Sequence, residues 1–338
     1  MKDDRYSRQV LFTEIREQGQ RKIFQANVVI IGCGALGSVV ANNLTRAGIG
    51  KITIVDRDFV ELNNLQCQVL FNEEDVKQKL PKAIAAKKKL EKINSQVEIE
   101  AKVCDVNPRN VEEIIKGVDL VLDGTDNLET RFLINDACIK NGIPWIYGAV
   151  VGSTGATMNI IPEKTPCLRC IIDQIPAPGT LPTCDTVGVL NTIPSIIASL
   201  QATEALKIIV HKENINQELI YFDVWTNSFE RIEVKRQPNC LTCVKKEFKT
   251  LEAEEIAWAA TLCGRNAVQI VPKKELLLSF EDLKNKWSRL GKVKYNEFLL
   301  SFKIDKYEII VFPNARVIIK GTTDTAVARS LYAKYIGT

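Results

Sequence analysis

Four cysteines stand in two C-x-x-C pairs, Cys167-Leu168-Arg169-Cys170 and Cys240-Leu241-Thr242-Cys243, with 69 residues (171–239) between the pairs. Four thiolates in two such knuckles match a tetrahedral structural Zn²⁺ site, and a closed set of four leaves no position open for catalysis. The separation exceeds that of a compact zinc finger, so the metal would pin distant parts of one larger domain. A second pattern is Gly32-Cys33-Gly34-Ala35-Leu36-Gly37, a G-x-G-x-x-G. Placed between a strand and a helix, such a turn brings backbone N–H groups and a helix N-terminus to a phosphate. Asp56 lies 19 residues beyond Gly37, where a carboxylate accepts hydrogen bonds from a ribose.

NAD and ATP both satisfy this fingerprint, and the residues that follow favour ATP. Asp58 and the polar cluster Asn63-Asn64-Leu65-Gln66 come after Asp56, Lys82 opens a helix just after Pro81, and Asp126 and Asn127 close the segment Asp123–Asn127. A triphosphate needs a cation such as Lys82 and a carboxylate such as Asp126 for Mg²⁺. Each has a plainer reading: Lys82 belongs to a lysine-rich helix that includes Lys87, Lys88 and Lys89, and Asp126 is suited to capping the next helix. Cys184 stands apart from the other cysteines between Thr183 and Asp185; an exposed thiol on a loop is a potential nucleophile, and equally an inert side chain. Cys33, Cys67, Cys104, Cys138 and Cys263 read as small apolar residues.

The elements that must position these residues follow from periodicity. Strands over Asn27–Ile31, Lys51–Asp56, Val97–Lys102, Val118–Asp123 and Ile143–Ala149 alternate with helices over Leu36–Ala47, Lys82–Ile93, Asn110–Ile115 and Leu128–Lys140. Nearly all-apolar strands in β-then-α repetition imply an α/β fold: a Rossmann-like, mostly parallel sheet with helices on both faces. Beyond it the pattern predicts a strand in Gly152–Pro162, a mobile loop over Asp173–Asp185, and a helical stretch Val187–Val210 interrupted by Pro194. A strand pair follows at Glu218–Val224 and Glu230–Lys235, so the C-terminal half of this domain is the part stapled by zinc. The reading divides the chain into residues 1–250 and a small α/β domain over 251–338. That tail carries a strand at Ala267–Pro272, a helix at Phe280–Leu290, three strands within Val293–Lys320 and a helix at Asp324–Ile336.

Composition bounds the rest. The 338 residues are 46% hydrophobic and 25% charged, ordinary globular usage. The net charge of +4 argues against nucleic acid as the main partner. That surplus is uneven, with 31 basic and 31 acidic residues in 1–250 against 14 and 10 in 251–338. The single histidine, His211 in a polar stretch expected at the surface, makes a Ser/His/Asp triad or a three-histidine metal site improbable. No signal-peptide pattern and no apolar run of about 18 residues is evident, so the expectation is a cytoplasmic protein without a membrane partner.

Taken together, residues 5–243 resemble the MoeB/ThiF adenylyltransferases, relatives of the ubiquitin-activating enzymes. The resemblance rests on Arg5-Tyr6-Ser7-Arg8-Gln9, the glycine turn, Val55-Asp56-Arg57-Asp58, Asn64-Leu65-Gln66, Pro81-Lys82, Thr125-Asp126-Asn127, both knuckles and the Cys184 loop. It implies ATP·Mg²⁺-dependent adenylation of the C-terminal glycine of a ubiquitin-like sulfur-carrier protein ending in Gly-Gly, for molybdopterin or thiamin synthesis. On this sequence Asp56 would hold the ribose, Asn64 and Lys82 the phosphates and Asp126 the Mg²⁺. Arg8 would reach ATP from the other subunit of a homodimer, and Cys184 matches a thiol that some members use in a persulfide or acyl-persulfide linkage. One departure is Cys67, in Asn64-Leu65-Gln66-Cys67-Gln68, where the family has a phosphate-facing arginine; Arg57 and Arg131 are candidate substitutes. Two alternatives follow: a nucleotide-binding protein that docks a ubiquitin-like partner without activating it, and an NAD-dependent dehydrogenase. The tail resembles the extension of longer members and has no assigned role.

Overall fold

A computed structural model describes residues 4–176, 182–210, 214–252, 259–262, 266–272 and 278–336; His211 and Cys263 lie outside the described residues. The chain divides into two compact units, Met1–Glu252 and Ala253–Thr338.

The first unit begins with two helices, α1 (Ser7–Leu11) and α2 (Arg16–Gln25), then alternates as its apolar runs dictate. The order is β1 (Asn27–Ile31), α3 (Ala35–Ala47), β2 (Lys51–Val55), α4 (Glu73–Gln78), α5 (Lys82–Ile93), β3 (Glu98–Lys102), α6 (Val111–Ile114), β4 (Leu120–Asp123), α7 (Leu128–Asn141) and β5 (Trp145–Val151). The second half is β6 (Thr154–Ile160), α8 (Leu168–Ile171), α9 (Cys184–Val187), α10 (Thr192–Val210), β7 (Leu219–Asp223) and β8 (Ser228–Ile232). They build one sheet ordered β3-β2-β1-β4-β5-β6-β7-β8, parallel from β3 to β5 and antiparallel from β5 to β8. Chain order reverses at β1, which lies between β2 and β4, and such a switch point opens a crevice at the carboxyl ends of the strands.

Val29, Ile31, Val121, Trp145 and Tyr147 share a core with α6, α7 and the cysteine knuckles. The alternate residue Ile30 faces α3, within 3.3 Å of where a Cβ on Gly37 would lie. Helix α10 covers that same side, packing on α3 and on β4, β5 and β6. It runs unbroken through Pro194, because a proline in the first turn removes an N–H that has no helical acceptor anyway. Contrary to the sequence expectation, α10 is long and apolar enough to cross a membrane by length and composition, with mean hydropathy 1.4. It is a core helix here: Gln201 donates to the carbonyls of Asp123 and Ile146, and Glu204 accepts from Asn159 at 2.6 Å. Residues 177–181 of the expected mobile loop lie outside the described residues, and its end is ordered into α9, capped by Thr183 and Thr186.

The second unit is a six-stranded sheet ordered β11-β12-β13-β14-β10-β9, with β9 (Ala259–Leu262), β10 (Ala267–Ile270), β11 (Lys292–Tyr295), β12 (Leu300–Ile304), β13 (Tyr307–Val311) and β14 (Val317–Lys320). Every pairing is antiparallel, so this is an α+β unit and not the expected α/β one. Residues 292–320 hold four strands and not three, because Asn296 folds a turn by accepting the N–H groups of Phe298 and Leu299. Helices α11 (Phe280–Trp287) and α12 (Thr325–Tyr335) share one core with alternating sheet residues such as Leu300, Phe302, Ile309 and Val311. Trp287 stacks on Phe302 at 4.8 Å between centroids.

Candidate functional site

The crevice between β1 and β4 is shaped by three interlocking glycines. Gly32 turns the chain at φ +88°, and a Cβ there would lie 2.6 Å from the backbone of Gly124. A Cβ on Gly37 would lie 1.9 Å from the Gly32 carbonyl oxygen, and one on Gly124 2.4 Å from that same oxygen. Both positions are closed to any side chain. Gly34 differs: a Cβ there would meet nothing nearer than 3.9 Å, the Gln68 amide. Packing does not require that glycine, which leaves a bare stretch of backbone at the start of α3, whose N-cap position has no side-chain hydrogen bond. Uncapped N–H groups beside open space suit an anion.

Asp56 stands at the end of β2 with both carboxylate oxygens engaged. The Cys33 N–H donates to Oδ2 and the Asp58 N–H to Oδ1, each at 2.7 Å. Burial raises the pKa of its carboxyl, with Lys82 pulling it down and Asp58 pushing it up. Lys82, the first residue of α5, is 4% exposed, unlike exposed Lys88 of the same helix, and its Nζ lies 3.8 Å from Asp58 Oδ2. It is therefore no part of a solvated lysine face. Asn63 and Gln66 are exposed, and Asn64 works locally: its Oδ1 accepts the Glu61 N–H at 3.0 Å and its amide donates to Asn63. Gln68, given no role in the sequence reading, is buried with its Oε1 lacking a hydrogen-bond partner.

At the end of β4, Asn127 and not Asp126 caps α7, its Oδ1 accepting the Thr130 N–H at 2.9 Å. Asp126 is exposed and receives the Asn127 amide at 3.3 Å, which leaves its carboxylate at the crevice rim. Behind it, fully buried Asp123 accepts from Thr125 N–H (2.9 Å), Thr125 Oγ1 (2.6 Å), Arg131 Nε (3.0 Å) and Gly148 N–H (3.3 Å). Arg131 also donates to the carbonyls of Thr125 (2.6 Å) and Gly148 (2.9 Å). Arg131 is thus committed beneath the crevice and is no substitute for a phosphate-facing arginine. Arg57 is paired with Asp105 at 2.7 Å. The Cys67 thiol, buried and aimed at the Asn64 carbonyl at 3.7 Å, has its pKa raised by burial and lowered by the charge of Lys82.

Arg8 is exposed on α1, whose neighbouring residue Gln9 donates to the Ala47 carbonyl at the last turn of α3. Ala47 is twelve residues beyond Ala35 along α3, about 18 Å at 1.5 Å per residue. Arg8 is consequently remote from the glycine turn of its own chain. Cys184 opens α9, half-buried, with its Sγ directed to the Val150 carbonyl at 3.4 Å. Val150 belongs to the carboxyl end of β5, so this thiol shares the sheet edge that carries the glycine turn and Asp126.

The four knuckle cysteines converge: their sulfurs lie within 4.8 Å of one another, with Cys167···Cys240 at 3.5 Å and Cys170···Cys243 at 3.6 Å. Four sulfurs at 2.3 Å from a tetrahedral Zn²⁺ stand about 3.8 Å apart, so the set fits that ion. The contacts from Cys167 and Cys243 hold Cys170 well below the ordinary thiol range. The sequence reading missed what supports these knuckles. Buried Asp136 of α7 accepts from Thr242 (2.6 Å) and Thr250 (2.6 Å) and lies 3.6 Å from Arg169, while Asn135 accepts the Leu168 N–H at 3.0 Å. The available signal was an Asn-Asp pair inside the apolar run Phe132–Ile139, which implies buried polar groups with partners.

The sequence pattern of the ThiF family matches residues 6–242. Over 338 aligned residues the chain is 43% identical to a sulfur carrier protein ThiS adenylyltransferase of Bacillus subtilis (strain 168), covering 98% of this chain and 99% of that protein. It is 36% identical over 241 residues to a SAMP-activating enzyme E1 of Haloferax volcanii, covering 71% of this chain and 88% of that protein. Among solved structures, E. coli MccB with selenomethionine MccA matches with a TM-score of 0.62 and 26% identity, over 71% of this chain and 74% of that one.

Proposed function

The chain belongs to the ThiF family, and from that membership we propose that it is an ATP-dependent adenylyltransferase acting on the C-terminal glycine of a ubiquitin-like sulfur carrier, a ThiS-like protein first. The observation that carries this reading is the bare Gly34 backbone, open to a phosphate, flanked by Asp56 and by the buried cation Lys82. A carboxylate oxygen of the carrier attacks the α-phosphorus of ATP, an O–P bond forms, the bond from that phosphorus to the bridging oxygen breaks, and pyrophosphate leaves with the electron pair. The residues serve by position and charge rather than by covalent chemistry. Asp56, whose two oxygens are fixed by backbone N–H groups, accepts the ribose hydroxyls. The N–H groups of Gly34 to Gly37 and the ammonium of Lys82 would bind the phosphates, and the family resemblance adds Asn64 to that set.

Asp126 is the carboxylate suited to Mg²⁺, which binds through one or two carboxylates plus substrate phosphates; bound there, the ion would offset phosphate charge. The four cysteines are suited to a structural Zn²⁺, which would hold both knuckles against α7. The reading includes a cytoplasmic homodimer, supported by Arg8: α1 lies against the C-terminal end of α3, a helix length from the glycine turn of its own chain, so Arg8 would serve ATP across a subunit boundary. Cys184, on the same sheet edge as Asp126, is placed for a thiol step after adenylation.

ATP–pyrophosphate exchange tests the proposal. Exchange that requires a carrier ending in Gly-Gly supports it. Nucleotide binding with no exchange would favour the non-activating docking protein, the reading that Cys67 in place of an arginine motivates. Comparing ThiS-like and MoaD-like carriers at equal concentration assigns the pathway.

A further inference from the structure

Five side-chain amides of the first unit, those of Asn27, Gln68, Asn135, Asn159 and Gln201, each carry a buried atom with no hydrogen-bond partner among the described residues. In four of them the other amide atom is spent on the fold. Asn27 and Gln201 donate to the carbonyls of Gly117 and Asp123, Asn159 donates to Glu204, and Asn135 accepts the Leu168 N–H. Gln68 is the exception: its Oε1 is orphaned, and among the described residues its Nε2 makes no hydrogen bond either. The residue is 7% exposed. A carboxamide buried to that degree and left unpaired destabilises the fold that holds it, so folding alone does not account for it.

The backbone around Gln68 is pinned. The N–H groups of Cys67 and Gln68 both reach the Asn64 carbonyl, at 3.1 and 3.0 Å, and the Gln68 carbonyl accepts the Phe71 N–H at 3.1 Å. Within this turn the two neighbouring side chains diverge: the Cys67 thiol is aimed back at the Asn64 carbonyl, whereas the Gln68 amide reaches across to the glycine turn. Its Nε2 is the atom nearest to where a Cβ on Gly34 would lie, at 3.9 Å. One wall of that space is the uncapped start of α3, and the facing wall is a nitrogen with protons to donate. We infer that Gln68 is a nucleotide-binding residue, its Nε2 donating to a phosphate oxygen of ATP seated over Gly34. The inference rests on the adenylation reading above and adds a phosphate ligand to it. A hydrogen bond to a charged acceptor is stronger than one between neutral groups, so the triphosphate would offset what the unpaired amide costs the free protein. The carrier tail is the other ligand expected in the crevice, and it is set apart because ATP binding can be measured without a carrier.

Calorimetric titration of the full chain with ATP·Mg²⁺ and with adenosine, carrier absent, is the test, together with thermal melts of the ligand-free protein. Gln68→Met keeps the length of the side chain and removes both polar atoms. It should weaken ATP about tenfold or more and leave adenosine affinity unchanged, since a bond to a charged group is lost and the base and ribose contacts are not. Its ligand-free thermal midpoint should equal or exceed that of the wild type, because an apolar group of similar shape replaces an unpaired polar one. Gln68→Glu, which turns a carboxylate toward the phosphates, should weaken ATP further than Gln68→Met. In pyrophosphate exchange both variants should raise KM for ATP more than they lower kcat. Wild-type ATP affinity in Gln68→Met, an equal loss of adenosine affinity, or a lowered ligand-free midpoint would overturn the inference, the last two by assigning the amide to the base pocket or to the fold. Failure of the wild-type chain to bind ATP would instead overturn the adenylation reading itself.

Discussion

Cys67 occupies a position where the family resemblance calls for a phosphate-facing arginine; in the fold its thiol is pushed up by burial and drawn down by the charge of Lys82. A guanidinium there would add charge-assisted hydrogen bonds worth about 1.5–3 kcal/mol, or roughly ten- to a hundredfold in rate if expressed in the transition state. Cys67→Arg should therefore raise pyrophosphate exchange at least several-fold; an unchanged rate would show that Lys82 already suffices. Asp126→Ala removes an exposed carboxylate that does not cap α7, so exchange should fall by at least about a hundredfold while the thermal midpoint stays put. Cys184→Ser should leave exchange intact and eliminate any acyl-persulfide linkage between the carrier's C-terminal carbonyl and this position. Mass spectrometry of the carrier after turnover reads this directly, and a carrier modified normally by the serine variant would exclude a covalent role.

Helix α7 spans both sites within fourteen residues: Asn127 and Arg131 organise the crevice rim, and Asn135 and Asp136 hold the knuckles. Removing a buried carboxylate from its partners leaves polar groups unpaired and costs about 3–5 kcal/mol. Asp136→Ala strands the Thr242 and Thr250 hydroxyls and Arg169. A thermal midpoint lowered by about ten degrees, together with weaker metal retention on dialysis, is expected; zinc retained at wild-type strength would mean the knuckles assemble without α7. At the glycine turn the limit is steric. A methyl on Gly37 would meet backbone that cannot withdraw, so Gly37→Ala should lose nucleotide binding before it loses the fold.

Every candidate site residue lies within Met1–Glu252, including all four knuckle cysteines. A chain ending at Glu252 should keep carrier-dependent exchange, and deletion that abolished it would move part of the catalytic machinery into the second unit. One zinc per chain is expected in protein purified without chelator. Because Cys167 and Cys240 belong to distant segments, its removal should lower thermal stability rather than act on the chemistry directly.

The sequence by itself determined the parallel core, since runs such as Val28–Ile31 and Leu120–Leu122 are apolar on both faces and fit no half-exposed strand. It also determined the four cysteines, because spacing and thiol chemistry need no coordinates. Only the tertiary structure decided which polar residues were spent on the fold. Asn127 and Asn64 satisfy backbone groups nearby, and Arg131 is consumed by Asp123, whereas Asp126 does not cap α7 and is exposed, and a Cβ on Gly34 would meet nothing nearer than 3.9 Å. Composition cannot separate these cases: a capping asparagine and a ligand-binding one are the same residue until the acceptor's neighbours are known. The second unit was misread for a related reason. Alternating apolar residues announce strands, but the direction in which they pair depends on turns such as Asn296–Leu299, which close antiparallel hairpins without the helical crossovers that a parallel sheet requires.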